Sequence, residues 1–397
     1  MVDSLDKNRV KICILTSAHL PFDARIFYKE AKTLVKAGYK VILIAQHSKE
    51  ETVDGVRIVP LPTPKNRFER RTKIVWRLFR LALKEKAQIY HFHDPELIPV
   101  GIALKLFGNK VIYDVHEYYS EVIPARCELK RGFKFIRFIT NVFIERIPFL
   151  IFDLLFFPTY SLEKEHNIPS KSLTLINFPN IENIKESDNS LNWETKKFDI
   201  VHLGTITFSG RMKFMLEVAR ELSKSKKKFK WLFLGISKDL INRVKENYSK
   251  NFVEEYIVMV ERVPHFEALK YVENSRIGFN YHPYEERFLV SIPMKVFEYM
   301  MMALPVVSTA LPELKKFLKN DVHASLIDSQ DPVRYSEAIK SLLDNSDRAL
   351  GMAVKAKRLV MEELNWENSE ADKLLKAYEK LIQAGDTNDK KKTHSEC

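Results

Sequence analysis

The chain has little of what announces the commonest site chemistries. Only 11 glycines occur in 397 residues, and no Gly-x-Gly-x-x-Gly follows a candidate strand. The usual dinucleotide fingerprint is therefore missing, which disfavours a nicotinamide or flavin role. The three cysteines, Cys13, Cys127 and Cys397, are few, odd in number and far apart. That pattern fits a reducing compartment and argues against a disulfide framework or a thiolate metal site. No Asp-x-Asp pair or histidine cluster with ligand spacing is read, so no metal is expected. The longest apolar stretch, Ile147 to Phe157, is broken by Pro148 and Asp153 and falls short of the roughly 20 residues that span a bilayer. The polar start, Met1 to Arg9, leads straight into a strand pattern, and no signal peptide is expected.

What remains is the composition of a soluble globular protein, 45% hydrophobic and 29% charged, long enough for two domains. The net charge of +12 is uneven. Residues 65–86 hold nine Lys or Arg against Glu69 and Glu85, and residues 126–146 hold six against Glu128 and Glu145. A localised excess points to a basic face, with an anionic partner such as a membrane surface, nucleic acid or a phosphorylated substrate.

Short β-branched runs alternate with helical patterns, which predicts doubly wound α/β domains. Strands are expected at Lys11–Thr16, Lys40–Gln46, Val56–Leu61, Gln88–His93, Lys110–Val115 and Leu154–Pro158, with helices at Arg25–Ala37, Phe68–Lys86, Glu96–Phe107 and Gly132–Ile147. A polar stretch with Pro179 follows, and the alternation restarts at Asp199. The expected organisation is an N-terminal Rossmann-like domain at 1–180, a linker at 181–197 and a C-terminal Rossmann-like domain at 198–363. A helix at 364–383 then packs back on the first domain, and a disordered tail occupies 384–397.

The most informative run is Ser291-Ile-Pro-Met-Lys-Val-Phe-Glu298. Ser291 and Pro293 suit a helix start, which puts Lys295 in the first turn, where the helix dipole disfavours a cation. A bound anion would reverse that sign. Glu298 shares the face of Lys295, and its carboxylate can accept from a ribose diol. The competing reading is a surface Lys–Glu pair on a helix, worth a few tenths of a kcal/mol. At the other end of the chain, His116 closes a strand, where parallel sheets open onto ligands; a lone histidine is otherwise more often structural. His93 and Asp94 also end a strand, and Asp94 could equally cap the helix that follows. Asp23 and Arg25 are read either as a buried ion pair or as substrate contacts.

Three segments carry a family resemblance. The run Ser291-x-Pro293-x-Lys295-x-Phe297-Glu298-Tyr299-Met300, ending in Leu304-Pro305-Val306-Val307, resembles the donor-nucleotide motif of glycosyltransferase family 4. Thr16 to Phe27 with Glu30 and Ala37-Gly38-Tyr39 resembles the opening strand, loop and helix of one branch of that family. His91-Phe92-His93-Asp94-Pro95-Glu96 and Val111 to Glu117 resemble a third region. The resemblance runs from Lys11 to Ile382 and implies the GT-B fold, two Rossmann-like domains facing across a cleft. It also implies a retaining, metal-independent transfer from a nucleoside-diphosphate sugar to a hydroxyl, with the nucleotide-sugar as substrate and no further cofactor.

Residue by residue, the resemblance gives Glu298 to the ribose and Lys295 to the diphosphate, with Ser291 in the same motif. The loop after Gly204 becomes a phosphate loop with Arg211 or Lys213 as its cation; either could instead be a solvated helix residue. His116, Arg211 and Lys295 are the expected catalytic groups, and Asp23, Arg25, His93 and Asp94 the acceptor or cleft residues. Three features depart from the family pattern: Val290 stands where a glutamate is common, Ala303 where glycine is usual, and the Gly-Gly pair of the first loop is replaced around Asp23-Ala24-Arg25.

The basic stretch near residue 70 puts Arg70, Lys73, Arg77 and Arg80 on one helical stripe opposite an apolar one. That is either a helix covering its own sheet with a solvated basic side, or a face attracted to anionic lipid or a lipid-linked acceptor. The expected setting is cytoplasmic, peripheral on the inner membrane face, in surface-polysaccharide or glycolipid assembly, with a glycan or lipid-linked acceptor. Nucleic acid is not expected, since no recognition motif accompanies the charge. A nucleotide-sugar epimerase on the same fold, or a non-catalytic partner subunit suggested by Val290, is the alternative.

Overall fold

A computed structural model describes residues 7–116, 135, 139, 141–166, 168–182, 192–204, 206, 208–226 and 228–393. The chain divides into two compact units, Met1–Asn180 with Trp366–Cys397, and Ile181–Asn365.

The first unit is an eight-stranded sheet. Its strands are β1 (Lys11–Leu15), β2 (Lys40–Gln46), β3 (Glu51–Val53), β4 (Val56–Leu61), β5 (Ile89–Phe92), β6 (Lys110–Asp114), β7 (Leu154–Phe157) and β8 (Ser172–Thr174). Their order is β3-β4-β2-β1-β5-β6-β7-β8. All pairings are parallel except β3 with β4. The central strands are buried on both faces, as unbroken apolar runs such as Ile12-Cys13-Ile14-Leu15 in β1 require.

One sheet face is covered by helices Val75–Glu85, Ile98–Leu106 and Ile147–Ile151, through Leu78, Leu104 and Phe149 among others. The other is covered by Ile26, Phe27 and Leu34 near the N-terminus and by Trp366, Leu374 and Tyr378 from the C-terminal helix. The returning helix is anchored by polar contacts as well. Trp366 Nε1 donates to Thr33 Oγ1 at 2.9 Å, and Tyr378 Oη lies 2.8 Å from His91 Nδ1.

The second unit is a six-stranded, all-parallel sheet of order β11-β10-β9-β12-β13-β14. Its strands are β9 (Phe198–Leu203), β10 (Trp231–Leu234), β11 (Ile257–Val260), β12 (Ser275–Asn280), β13 (Val306–Thr309) and β14 (Ser325–Ile327). Helices Lys213–Ser225 and Pro332–Leu343 pack on one face. Helix Met294–Met301 leans on β12 through Tyr299. A Cβ on Gly278 would come within 2.4 Å of that ring, so only glycine lets the helix approach this closely. The Tyr299 hydroxyl accepts from the Leu203 amide at 2.7 Å, which ties the helix to the end of β9.

Several expectations need amending. Strand β3 is paired with β4 through Asp54-Gly55, both left-handed at φ 50° and 80°; Asp-Gly is a known hairpin signal that a search for parallel units passes over. Strand β8 and helices Tyr160–His166 and Lys250–Tyr256 lie in stretches too short for a clear period. The last helix continues as backbone to Thr393, past the expected end at Gln383 and into the expected tail, since no proline follows Pro332 to stop it. Residues 132–134, 136–138 and 140 of the expected helix Gly132–Ile147 and most of the linker fall outside the described residues, as does the second basic segment up to residue 134. The described part of that helix runs on to Ile151. Ala303 has φ 57°, the left-handed region that favours glycine.

Candidate functional site: two polar clusters

Within the N-terminal unit, the ends of β5 and β6 and the segment after β1 bring together a buried network. Arg25 is its centre. Its Nε lies 2.7 Å from Asp114 Oδ2 and 3.0 Å from Glu30 Oε1, while Nη1 donates to the Leu175 carbonyl at 3.0 Å. Asp23 is not its ion partner. The Asp23 carboxylate accepts from the amides of Arg25 at 2.8 Å and Ile26 at 3.0 Å, holding the start of that helix, and faces His19 Nδ1 at 3.2 Å. Burial pushes the Asp23 carboxyl up, but the hydrogen bond from His19 and the two amides bring it net down.

His93 joins the network with Nδ1 2.9 Å from His116 Nε2 and 3.3 Å from Asp114, and Nε2 3.4 Å from Glu30. Burial moves the His93 pKa down to about 4, so the imidazole is neutral. Two carboxylates sharing one guanidinium do not titrate alike. Burial and the neighbouring Asp114 charge raise Glu30. Asp114 also feels burial upward, but Arg25 and then His116 hold it well below the carboxylate range.

Glu30, His91, His93 and Asp114 offer ligand-type atoms within 4.8 Å of one another, a group that sequence spacing alone does not reveal. The Arg25 guanidinium already lies between the two carboxylates, and it supplies the positive charge a cation would bring. Asp94 serves the loop after β1. Its Oδ2 accepts from Thr16 Oγ1 at 2.9 Å and from the Ser17 and Ala18 amides at 2.6 and 3.1 Å, so it does not cap the following helix. The half-exposed rim of the cluster is His19, Asp23 and His116. His19 is raised by its bond to Asp23, with burial opposing; it sits in a motif read from the sequence but was not singled out.

The C-terminal unit gathers charge of the opposite kind. Lys295 is the second residue of helix Met294–Met301, and its Nζ lies 3.3 Å from His202 Nε2 and close to Gly204. A Cβ on Gly204 (φ +111°) would stand 3.3 Å from that Nζ, so glycine leaves the ammonium its space. His202 Nδ1 faces the Phe279 carbonyl at 3.1 Å, which fixes the proton there and leaves Nε2 to accept from the lysine. Arg211 Nη1 likewise lies 3.2 Å from His282 Nε2. Burial, then the nearby cations, press both histidines down and keep them neutral. Burial and the Arg211 charge bring the Lys295 pKa down to about 7. Burial also lowers Arg211. Lys295 forms no ion pair among the described residues.

Lys213, the alternative loop cation, is exposed. The Ser291 hydroxyl donates to the Phe288 carbonyl at 2.9 Å, and Pro293 rather than Ser291 takes the cap position of the helix. Glu298 is half-buried and meets His265. Glu285, near the vacant carboxylate position Val290, is paired with Arg287 at 2.7 Å. His202 and His282 were not foreseen, although both end or follow strands at the sheet edge where ligands bind.

On the basic stretch, Arg70 is tied to Glu96 at 2.6 Å, whereas Lys73, Arg77 and Arg80 are exposed. Phe68 and Trp76 project beside them, 78% and 61% exposed. No described helix is long and apolar enough to cross a membrane.

Two Rossmann-like sheets, with polar clusters where strands end, define a GT-B glycosyltransferase fold. A sucrose-phosphate synthase from Thermosynechococcus elongatus superposes with a TM-score of 0.74 at 16% identity, over 95% of this chain and 100% of that one. A glycosyltransferase from Rickettsia africae gives 0.65 at 16% identity over 94% and 99%. The Anabaena protein HepE, solved with UDP-glucose, gives 0.65 at 9% identity over 95% and 99%. The family model "Glycosyltransferase Family 4" matches residues 24–147, and "Glycosyl transferases group 1" matches residues 197–345. The chain is a family 4-type glycosyltransferase. No curated protein matches its sequence.

Proposed function

We propose that this glycosyltransferase draws its sugar from a nucleoside-diphosphate sugar held by the C-terminal unit and transfers it with retention to a hydroxyl. The observation that carries this reading is the gathering of Lys295 and Arg211 around two neutral histidines, with the lysine half-buried and in no ion pair among the described residues. A cation partly withdrawn from water without a counter-charge is costly. A diphosphate beside it removes that cost and restores the lysine to full charge. During transfer the leaving diphosphate gains negative charge, and fixed cations at that spot favour the transition state over the ground state. Arg211 suits the role because its planar fork binds two oxygens at once.

Glu298, one turn along the same helix, is the ribose acceptor in this scheme. In the N-terminal unit, His116 with His19 and Asp23 forms the rim offered to the sugar and acceptor, while Arg25, Asp114 and His93 sit behind it. The exposed cations Lys73, Arg77 and Arg80, with Phe68 and Trp76 among them, fit an anionic lipid surface. We place the enzyme there, acting on a glycan or lipid-linked acceptor in surface-polysaccharide or glycolipid assembly.

The test is calorimetry with UDP, GDP and ADP and their sugars, followed by donor hydrolysis or transfer assays. At least one nucleotide should bind, and Lys295→Ala and Arg211→Ala should each cut activity by about 100-fold, the scale of a lost transition-state charge contact. Failure of every nucleotide to bind, or activity within about twofold of wild type in both variants, would mean that no donor diphosphate sits here.

A further inference from the structure

Glu298 has a partner that the donor motif does not contain. His265 opens the helix His265–Glu273, and its Nε2 stands 2.9 Å from Glu298 Oε1. The histidine side chain is 61% exposed and that of Glu298 21%. An exposed ion pair of this kind contributes little to stability, so folding alone gives the contact little to do.

Its geometry suits another task. A glutamate has three side-chain torsions, and one that must meet a diol from a helix surface loses binding energy to its own freedom. A donor fixed on one carboxylate oxygen removes most of that freedom. The imidazole can donate its Nε2 proton to the carboxylate in either protonation state. Oε2 and the second lone pair of Oε1 are then left for two hydroxyls.

We propose that His265 is a positioning residue for the nucleotide site: it holds the Glu298 carboxylate in the orientation that receives the two ribose hydroxyls, and so sets the preference of the enzyme for ribonucleotides. This rests on the reading of the C-terminal unit as the donor site. It adds a residue 33 positions upstream of Glu298, on a different helix, that acts on binding and not on the reacting atoms.

The experiment compares UDP, GDP and ADP with the 2′,3′-dideoxy form of whichever binds, by calorimetry on the full chain. The proteins are wild type, His265→Ala, His265→Gln and Glu298→Ala, with circular dichroism as a check on folding. His265→Ala should weaken the ribonucleotide about five- to tenfold, the effect of one hydrogen bond to a charged group, and leave the dideoxy form unchanged. His265→Gln, which retains a donor at similar reach, should recover most of the loss. In kinetics the effect should fall on KM for the donor with kcat little changed.

Equal losses for the ribo and dideoxy forms in His265→Ala, or no loss at all while Glu298→Ala weakens binding, would overturn the positioning role and leave the donor site standing. If wild type binds none of the three nucleotides, or Glu298→Ala binds them as wild type does, the donor-site reading fails and this inference with it.

Discussion

The two polar clusters are built on the same kind of scaffold yet balance their charge in opposite ways. In the N-terminal unit, two buried carboxylates close on one guanidinium, and buried histidines complete the set. Charge there is settled inside the protein. In the C-terminal unit, a half-buried lysine and an arginine face neutral histidines. The lysine there has no ion partner among the described residues. A cluster that satisfies itself reads as support for a site, whereas one that keeps an uncompensated charge reads as a receptor for the opposite charge.

Breaking the N-terminal balance should have the largest effect on stability. Arg25→Met leaves Asp114 and Glu30 buried without their cation, and should cost about 3–5 kcal/mol, as removal of one partner from a buried ion set does. Chemical denaturation measures it; a loss below about 1 kcal/mol would mean that the histidines carry the balance instead.

The same kind of change in the C-terminal cluster should go the other way. Lys295→Met removes a half-buried charge with no ion partner among the described residues, so the unliganded protein should be as stable as wild type or more so, even as donor use collapses. The pH dependence has a definite sign. The pKa of Lys295 is brought down to about 7 in the folded protein, below the ordinary lysine value of 10.5, so the unfolded chain binds the extra proton between those values. The lysine's penalty is therefore full below pH 7 and fades as pH rises toward about 10.5. Denaturation at pH 6.5 and 9 should show this rise in wild type relative to Lys295→Met; parallel pH profiles for the two proteins would refute it.

The smallest expected effect concerns the outer surface of the N-terminal unit, where charge faces solvent. Changing Lys73, Arg77 and Arg80 to glutamine should weaken flotation with anionic liposomes by about 1 kcal/mol per cation. Trp76→Ala should weaken it further, and added salt should act in the same direction. Equal binding to neutral and anionic liposomes would remove the membrane from the proposal.

Much of this was legible in the chain. The alternation of apolar runs and helical periods located the main parallel strands of the first sheet and the restart of the pattern at Asp199, since strands buried on both faces read as near-continuous apolar runs. The oddity of Lys295 at a helix start was visible from Ser291 and Pro293, and so was the face it shares with Glu298. The antiparallel β3 was missed because three residues give no period, although Asp54-Gly55 marked its turn. The pairing of Asp23 with Arg25 was a neighbour's guess; the arginine reaches instead to residue 114, which only the order of strands could reveal.

The sequence by itself determined two α/β units, a family 4-type pattern and the local chemistry of the Ser291–Glu298 helix, because those rest on contacts within a few residues. Only the tertiary structure decided which charges meet. His202 and His282 stand against Lys295 and Arg211, His265 against Glu298, and Tyr378 against His91, across 33 positions of chain for the nearest of these pairs and 287 for the farthest. Charge interactions fall with distance in space and not along the chain, so the sign of each cluster exists only once the sheets have brought those residues together.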